Sequence, residues 1–245
     1  PVARVRNKMM EFYHGFSLRR ADKIIAMSEA TKKDIIRFFS IDEKKITVGY
    51  WGFKPVCSIP PESVDIRKPF FLFVGVVKER KNVFNMVKGF AEFVRDHPDY
   101  TLVIAGNSRG EYGDMTRGYI AREGLGHHVV FPGYLTEGQI SYLYKNAHAL
   151  VFPSLVEGFG FPVMEAMDCG CPVITSNASS LAELGAQGSA ILVDPYDSSA
   201  IAQAMKHVAD SVGLRQELAD AGRKRSEMFR WENRIGTFLD AITRW

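Results

Sequence analysis

Beyond residue 70 the chain alternates short apolar runs with stretches whose apolar residues recur every three or four positions. The runs are Phe70–Val74, Tyr100–Ala105, Val129–Phe131, Ala149–Phe152, Pro172–Ser176 and Ala190–Val193, most of them bounded by Gly, Pro, Asn or Asp. Unbroken apolarity over such lengths predicts strands covered on both faces. Val83 to Arg95 follows the helical period, with Phe84, Val87, Phe90, Ala91 and Val94 on one face and Asn82 at the capping position. Strands alternating with helices predict an α/β fold built on a doubly wound parallel sheet.

Before residue 70 the same alternation occurs on a smaller scale. Lys23–Met27 reads as a strand, Ser28 as a helix cap, Thr31 to Phe39 as an amphipathic helix and Lys45–Tyr50 as a second strand leading to Trp51-Gly52-Phe53. Lys54 to Pro69 carries four prolines and little periodicity, which predicts an interdomain linker. Upstream, Arg4 to Arg20 is basic and holds Met9, Met10, Phe12, Tyr13, Phe16 and Leu18. At the other end, Arg230 to Trp245 places Ile235, Phe238, Leu239 and Ile242 at helical spacing. The chain begins with Pro1 rather than Met, so an upstream part is expected to be missing.

Composition narrows the class. With 46% hydrophobic and 24% charged residues over 245 positions, the chain can bury a core and lacks the bias of disordered or fibrous proteins. A net charge of +3 suits an anionic small ligand or an acidic membrane surface, and no nucleic-acid motif accompanies it. Cys57, Cys169 and Cys171 show neither a disulfide framework nor metal-ligand spacing, and Cys-Gly-Cys reads as packing in a reducing cytoplasm. The histidines show no metal-ligand spacing either, so no metal site is expected. Ser108 to Asp114 reads as a polar loop without assigned chemistry.

The chemistry concentrates in Glu157-Gly158-Phe159-Gly160-Phe161-Pro162-Val163-Met164-Glu165. It follows the strand Ala149–Phe152, and ligands of open α/β sheets bind beyond the carboxyl ends of strands. Pro162 suits the first position of a helix, where its missing N–H is not needed, Gly158 and Gly160 allow the backbone to turn its amides towards an anion, and a helix N-terminus favours phosphate. Glu157 lies on the loop, near whatever extends past the phosphates. Glu165 lies on the helix, where it suits a vicinal diol such as that of a ribose. A second cluster, Gly75-Val76-Val77-Lys78-Glu79-Arg80-Lys81-Asn82, follows the strand Phe70–Val74. There Arg80 and Lys81 can meet a diphosphate together, one as a fork of donors and the other as a point charge.

Glu157 and Glu165, with the continuation Ala166 to Ser176, resemble the E-x7-E region of retaining GT-B glycosyltransferases of family 4, the glycosyl transferases group 1. The similarity is greatest to bacterial O-antigen and polysaccharide mannosyltransferases. Phe71–Gly75, Arg80–Val83, Leu102–Gly106 and Val130–Tyr134 fall in the order that the family's donor domain requires. Many members carry arginine directly after the glycine, where this chain has Val76, whereas the mannosyltransferase branch places arginine just before the lysine, as Arg80 is placed.

The resemblance implies a GT-B Rossmann-like donor domain at 70–229, a linker at 55–69, the end of an N-terminal acceptor domain at 1–54 and a terminal crossover helix at 230–245. It implies catalytic roles for Glu157, Arg80 and Lys81. Donor contacts are implied at Gly75, Gly158, Phe159, Gly160, Phe161 and Glu165, with the base against Tyr134 and Leu135. The expected activity is metal-independent, configuration-retaining transfer of a hexose to a glycan or lipid-linked glycan in polysaccharide biosynthesis. No cofactor is implied, and the donor is a nucleotide-diphosphate sugar, GDP-mannose ahead of a UDP-sugar. Other readings stay open: a nucleotide-sugar-binding half or module that needs an acceptor domain in the same or another chain, or a glucan synthase or phosphorylase-like enzyme. The expected location is the cytoplasm, at the inner face of the membrane if the basic N-terminal segment meets lipid rather than forming a helix of the absent domain.

Overall fold

The computed structural model describes residues 12–243, leaving out the side chains of 241 and 242. Arg4, Met9, Met10 and Trp245, and the side chain of Ile242, therefore lie outside the described residues.

Six strands form one parallel sheet: β3 (Phe70–Val74), β4 (Thr101–Ala105), β5 (Val129–Gly133), β6 (Ala149–Phe152), β7 (Val173–Ser176) and β8 (Ile191–Val193). Their order is β5-β4-β3-β6-β7-β8. Burial explains this order, since the apolar residues of β3, β4, β6 and β7 are almost wholly covered while β5 and β8 keep partly exposed positions. The strands with unbroken apolar runs take the centre, where each Phe or Leu side chain contributes roughly 1.5–3 kcal/mol by leaving water. Chain order reverses between β3 and β6, which makes the gap beyond their carboxyl ends the switch point of the sheet.

The crossovers are α3 (Val83–Phe93), α4 (Glu111–Arg122), α5 (Glu137–Asn146), α6 (Phe161–Asp168) and α7 (Ser179–Leu184), followed by α8 (Ser198–Asp210), α9 (Val212–Glu227) and α10 (Trp231–Thr243). The buried face of α3 is Val83, Met86, Val87, Phe90, Ala91 and Phe93. Of the expected face, Val87, Phe90, Ala91 and Val94 are buried, while Phe84 stays at the rim and meets the Tyr119 ring. The stretch expected as a polar loop, Ser108 to Asp114, is helical from Glu111 onwards.

Asn82 occupies the N-cap of α3 without capping it by its side chain. Its backbone is left-handed (φ 56°), and Nδ2 turns away to donate to the carbonyls of Pro153 (3.1 Å) and Pro195 (2.5 Å). The amide thereby ties the loops after β6 and β8 to the end of the β3 loop.

A smaller unit precedes this sheet. Helix α1 (residues 12–20), strand β1 (Ile24–Ala26), helix α2 (Glu29–Phe39) and strand β2 (Ile46–Val48) enclose Ile24, Ala26, Ile41 and Ile46, with β1 and β2 parallel. Ser28 caps α2 by accepting from Thr31 N at 3.0 Å. Glu183 of α7 adds a second cap from the large sheet's side, accepting from Glu29 N (3.0 Å), Ala30 N (2.7 Å) and the Tyr50 hydroxyl (2.8 Å). The first amides of a helix lack partners within it, and one carboxylate supplies them here.

The proline-rich segment after Lys54 is extended apart from a 3-10 turn at Val56–Ser58, yet it is pinned along α5. Glu62 N donates to Gly138 O, Ser141 Oγ to Ile59 O and Lys145 Nζ to Cys57 O. Cys57 is joined to Cys169, the C-cap residue of α6, which corrects the expectation that no disulfide forms. The two cysteines are 112 residues apart, and only the fold of the segment against α6 brings their Cα atoms to 5.2 Å. Cys171 is the packed cysteine, and burial pushes its thiol up to about 12.

Helix α10 lies against the smaller unit. Trp231 meets Trp51 at 6.3 Å between ring centroids, and the Phe238 ring faces Gly49. Of the expected apolar face, Ile235 and Leu239 remain half exposed. Among the described residues no helix is long and apolar enough to cross a membrane.

Candidate active site

The loops leaving β3 and β6 meet across the switch point. Leu155 N donates to Arg80 O at 2.8 Å, which holds the two backbones together. Onto this frame the two sequence clusters converge. Glu157 Oε2 accepts from Arg80 at 2.9 Å, and Glu157 Oε1 lies 2.5 Å from Lys81 Nζ. Glu157 is 9% exposed and Lys81 12%, whereas Arg80 is 54% exposed and reaches towards solvent.

Lys81 is backed by the Phe152 ring, 4.6 Å from Nζ. Burial in this apolar setting, with Arg80 adding a like charge, lowers its pKa against the opposing pull of Glu157. Two cations against one carboxylate leave one net positive charge at the rim, so an anion arriving there would find its countercharge already fixed in place.

The turn from Glu157 to Gly160 is held from α7. Ser179 Oγ accepts from Glu157 N at 3.1 Å, and Ser180 Oγ donates to Glu157 O (2.9 Å) and Phe159 O (2.6 Å). These serines escaped the sequence reading, although the polar run Ser176 to Ser180 directly after an apolar strand was the available signal. One glycine is required here, since Gly160 has φ 123° and a Cβ on it would also press into Leu181. A Cβ on Gly158 would lie 2.6 Å from Met27 Sδ in the smaller unit, so a side chain there would have to displace that flexible methionine.

Gly160 is the N-cap of α6, which starts at Phe161, so Pro162 is its second residue, one place beyond the expected first position and still where a missing N–H is not needed. The amide of Phe161 is one of the first-turn donors that a helix cannot use itself. The Phe159 side chain is buried against Phe161 and Phe229, so its backbone alone is available to a ligand. Phe161 is partly exposed, with its edge against Trp51.

Glu165 lies one helical stretch further on. Burial raises its pKa, the charge of Glu137 adds to the rise, and a hydrogen bond from the Tyr144 hydroxyl to Oε2 (3.0 Å) opposes it. Beyond β3, β4 and β5, a shallow apolar cavity of about 190 Å³ is lined by Gly75, Gly106, Gly133, Tyr134, Leu135 and Ile140 among others. It adjoins a cavity of about 330 Å³ that shares Gly106, Asn107, Gly133 and Tyr134 and adds Arg109. Tyr134 is 80% exposed and stands as a free wall of both. The predicted residues thus form a tight group (Arg80, Lys81, Glu157), a helix-borne group (Gly160, Phe161, Glu165) and a slot (Gly75, Tyr134, Leu135). Among the described residues no group of three His, Cys, Asp or Glu could hold a metal ion.

A glycine-turned helix start and a cation pair at the switch point of a Rossmann-like sheet form the kind of place where such sheets meet anionic ligands. The chain belongs to the glycosyl transferases group 1, whose family model matches residues 60–225. It is similar to the O-antigen chain mannosyltransferase B of Escherichia coli, 28% identical over 231 residues that cover 89% of this chain and 59% of that protein.

Among solved structures it superposes on the sucrose-phosphate synthase of Thermosynechococcus elongatus with a TM-score of 0.82, at 23% identity, covering 97% of this chain and 62% of that one. It superposes on Anabaena Alr3699/HepE, solved with UDP and glucose, with a TM-score of 0.83, at 20% identity, covering 94% of this chain and 65% of that one. The fold is that of GT-B glycosyltransferases, and the chain spans about three fifths of the length of these relatives.

Proposed function

We propose that this chain is the donor-binding part of a retaining mannosyltransferase that moves mannose from GDP-mannose to a glycan or lipid-linked glycan acceptor in polysaccharide assembly at the cytoplasmic side of a membrane. The observation that carries the reading is the convergence of Arg80, Lys81 and Glu157 on the switch point beside the start of α6. The diphosphate lies on the Gly160 and Phe161 amides and draws Arg80 and Lys81, whose positions Glu157 sets beforehand. The base enters the slot at Gly75, Tyr134 and Leu135, the ribose diol meets Glu165, and Gly158 and Phe159 shape the turn beside the sugar. Glu157 faces the sugar once the cations engage phosphate.

In the reaction the bond from the anomeric carbon to the diphosphate oxygen breaks while the acceptor oxygen bonds to the same face. The acceptor proton passes to the leaving phosphate, and a glycoside and nucleoside diphosphate result. Preorganised positive charge acts mainly on the leaving group, where negative charge grows in the transition state. Segment 1–54 serves as the end of an acceptor domain, 55–69 as the linker, 70–229 as the donor domain and 230–245 as the crossover helix. The half-exposed Ile235 and Leu239 of α10 suit a helix awaiting further cover.

A UDP-sugar is the second reading, favoured by the UDP and glucose bound in Alr3699/HepE. Calorimetric titration of the chain with GDP, GDP-mannose, UDP and UDP-glucose, beside Glu165→Ala, separates the two. Guanine nucleotides bind selectively and the variant loses them if the mannosyl reading holds. Selective uridine binding replaces it with the second reading, and a folded chain that binds none of the four refutes both.

A further inference from the structure

One polar side chain at the site has no part in this scheme. Tyr144 of α5 is wholly buried, and its hydroxyl lies 3.0 Å from Glu165 Oε2. A buried phenol keeps its proton, here all the more because burial and the neighbouring carboxylate both raise its pKa, so the hydroxyl is the donor and the carboxylate the acceptor. We infer that Tyr144 is the positioning residue for the ribose-binding carboxylate: its hydroxyl fixes the rotamer of Glu165 through Oε2 and leaves Oε1 for the diol.

The inference rests on the donor reading and explains how a carboxylate in this place can be ready for a neutral ligand. Among the described residues no cation pairs with Glu165. Its charged neighbour is Glu137, at the start of α5, which is itself held by Lys54 at 2.7 Å. A buried carboxylate without a cation is inclined to take up a proton or swing towards water, and either would spoil two hydrogen bonds to vicinal hydroxyls. One neutral donor from a rigid, buried ring opposes both. The ring is held by its place in the core, so it supplies a fixed reference that a surface side chain could not.

The test compares GDP with 2′,3′-dideoxy-GDP, and UDP with its dideoxy analogue in parallel, on wild-type chain, Tyr144→Phe, Glu165→Gln and the double variant by calorimetry. Tyr144→Phe is expected to weaken binding of the diol-bearing nucleotide about three- to tenfold, to leave the dideoxy nucleotide unchanged and to have no further effect in the Glu165→Gln background. Equal loss on both nucleotides marks a structural residue and overturns the inference, as does Tyr144→Phe binding like wild type. If wild-type chain binds neither pair, the donor reading falls and takes this inference with it. If it binds both members of a pair equally, Glu165 is not the diol ligand and the inference again fails. Site-specific 3-fluorotyrosine at position 144 keeps the ring and makes the hydroxyl a stronger donor. It is expected to tighten binding of the diol-bearing nucleotide selectively, and absence of that selectivity overturns the inference even if Tyr144→Phe does not fold.

Discussion

The two ends of the large sheet carry polar side chains in similar number and use them oppositely. At the amino ends, Tyr100 precedes β4, His128 precedes β5 and His148 precedes β6. The Tyr100 hydroxyl and His148 Nδ1 share a hydrogen bond at 2.7 Å, His128 Nδ1 lies 3.2 Å from Tyr100 O, and His97 Nε2 meets Asp210 at 3.0 Å. The His97 and Tyr100 rings pack on Phe93, and the His148 ring packs on Tyr100. Every polar group named there is answered within the protein, by a neutral partner or a lone counterion. At the carboxyl ends the charges do not cancel, the lysine is desolvated and Ser154 Oγ is buried without a partner. The amino end is finished as a piece of structure, whereas the carboxyl end keeps two cations on one carboxylate, which is the imbalance that the proposed diphosphate contact uses.

Removing a charge from the unfinished end should produce the largest effect. On the proposed reading the Lys81 ammonium meets the diphosphate where charge grows, so Lys81→Ala is expected to weaken GDP or UDP binding at least tenfold and to lower transfer by the intact enzyme about 10²–10³-fold. Binding of the bare nucleoside should not change. Tyr100→Phe, at the finished end, should leave nucleotide affinity untouched in the same titration. Comparable losses in both variants would erase the contrast between the ends.

Next in size is the residue that stiffens the carboxyl end. Asn82→Ala removes the donor to two carbonyls and places a Cβ-bearing, non-amide residue at φ 56°. Urea unfolding should show a loss of about 2–4 kcal/mol. Asn82→Gly relieves the backbone conformation alone and should recover about 1 kcal/mol of it. Full recovery by glycine would mean that the tie between the loops contributes nothing.

Much of this layout was legible in the sequence, for identifiable reasons. Phe70–Val74 and Ala149–Phe152 appear as strands with the expected bounds, because a run of apolar residues closed by Pro or Gly has few other uses in a folded chain. The cap at Ser28 and the proline in the first turn of α6 were also readable, since each is a local pattern. What could not be read depends on contacts across the fold. Tyr144 and Glu165 are 21 residues apart on different helices, Glu183 reaches 154 residues back to the start of α2, and Cys57 finds Cys169 through the course of the proline-rich segment. Asn82 shows the limit most sharply. Its position before a helix signalled a cap, and its side chain was drawn instead to carbonyls of the loops that follow two later strands.

The smallest effect tests the finished end by pH. Burial lowers the pKa of His148 below its ordinary value of 6.5, and the nearby Arg215 adds to the shift. The groups that face it are Tyr100, through the shared hydrogen bond, and Arg215, while Asp210 is engaged by His97. The unfolded chain therefore takes up a proton at higher pH than the folded one. Stability from this site is whole above about pH 6.5 and declines as pH falls towards the folded pKa, with a slope of at most about 1.4 kcal/mol per pH unit for one proton. Urea midpoints of wild-type chain should drop between pH 7.5 and 5.5 by more than those of Tyr100→Phe/His148→Phe, in which the titrating ring is absent and apolar packing takes the place of the hydrogen bond. Identical slopes in the two proteins would show that the amino end carries no neutral buried histidine, and that its polar groups are less fully settled by the fold than their hydrogen bonds imply.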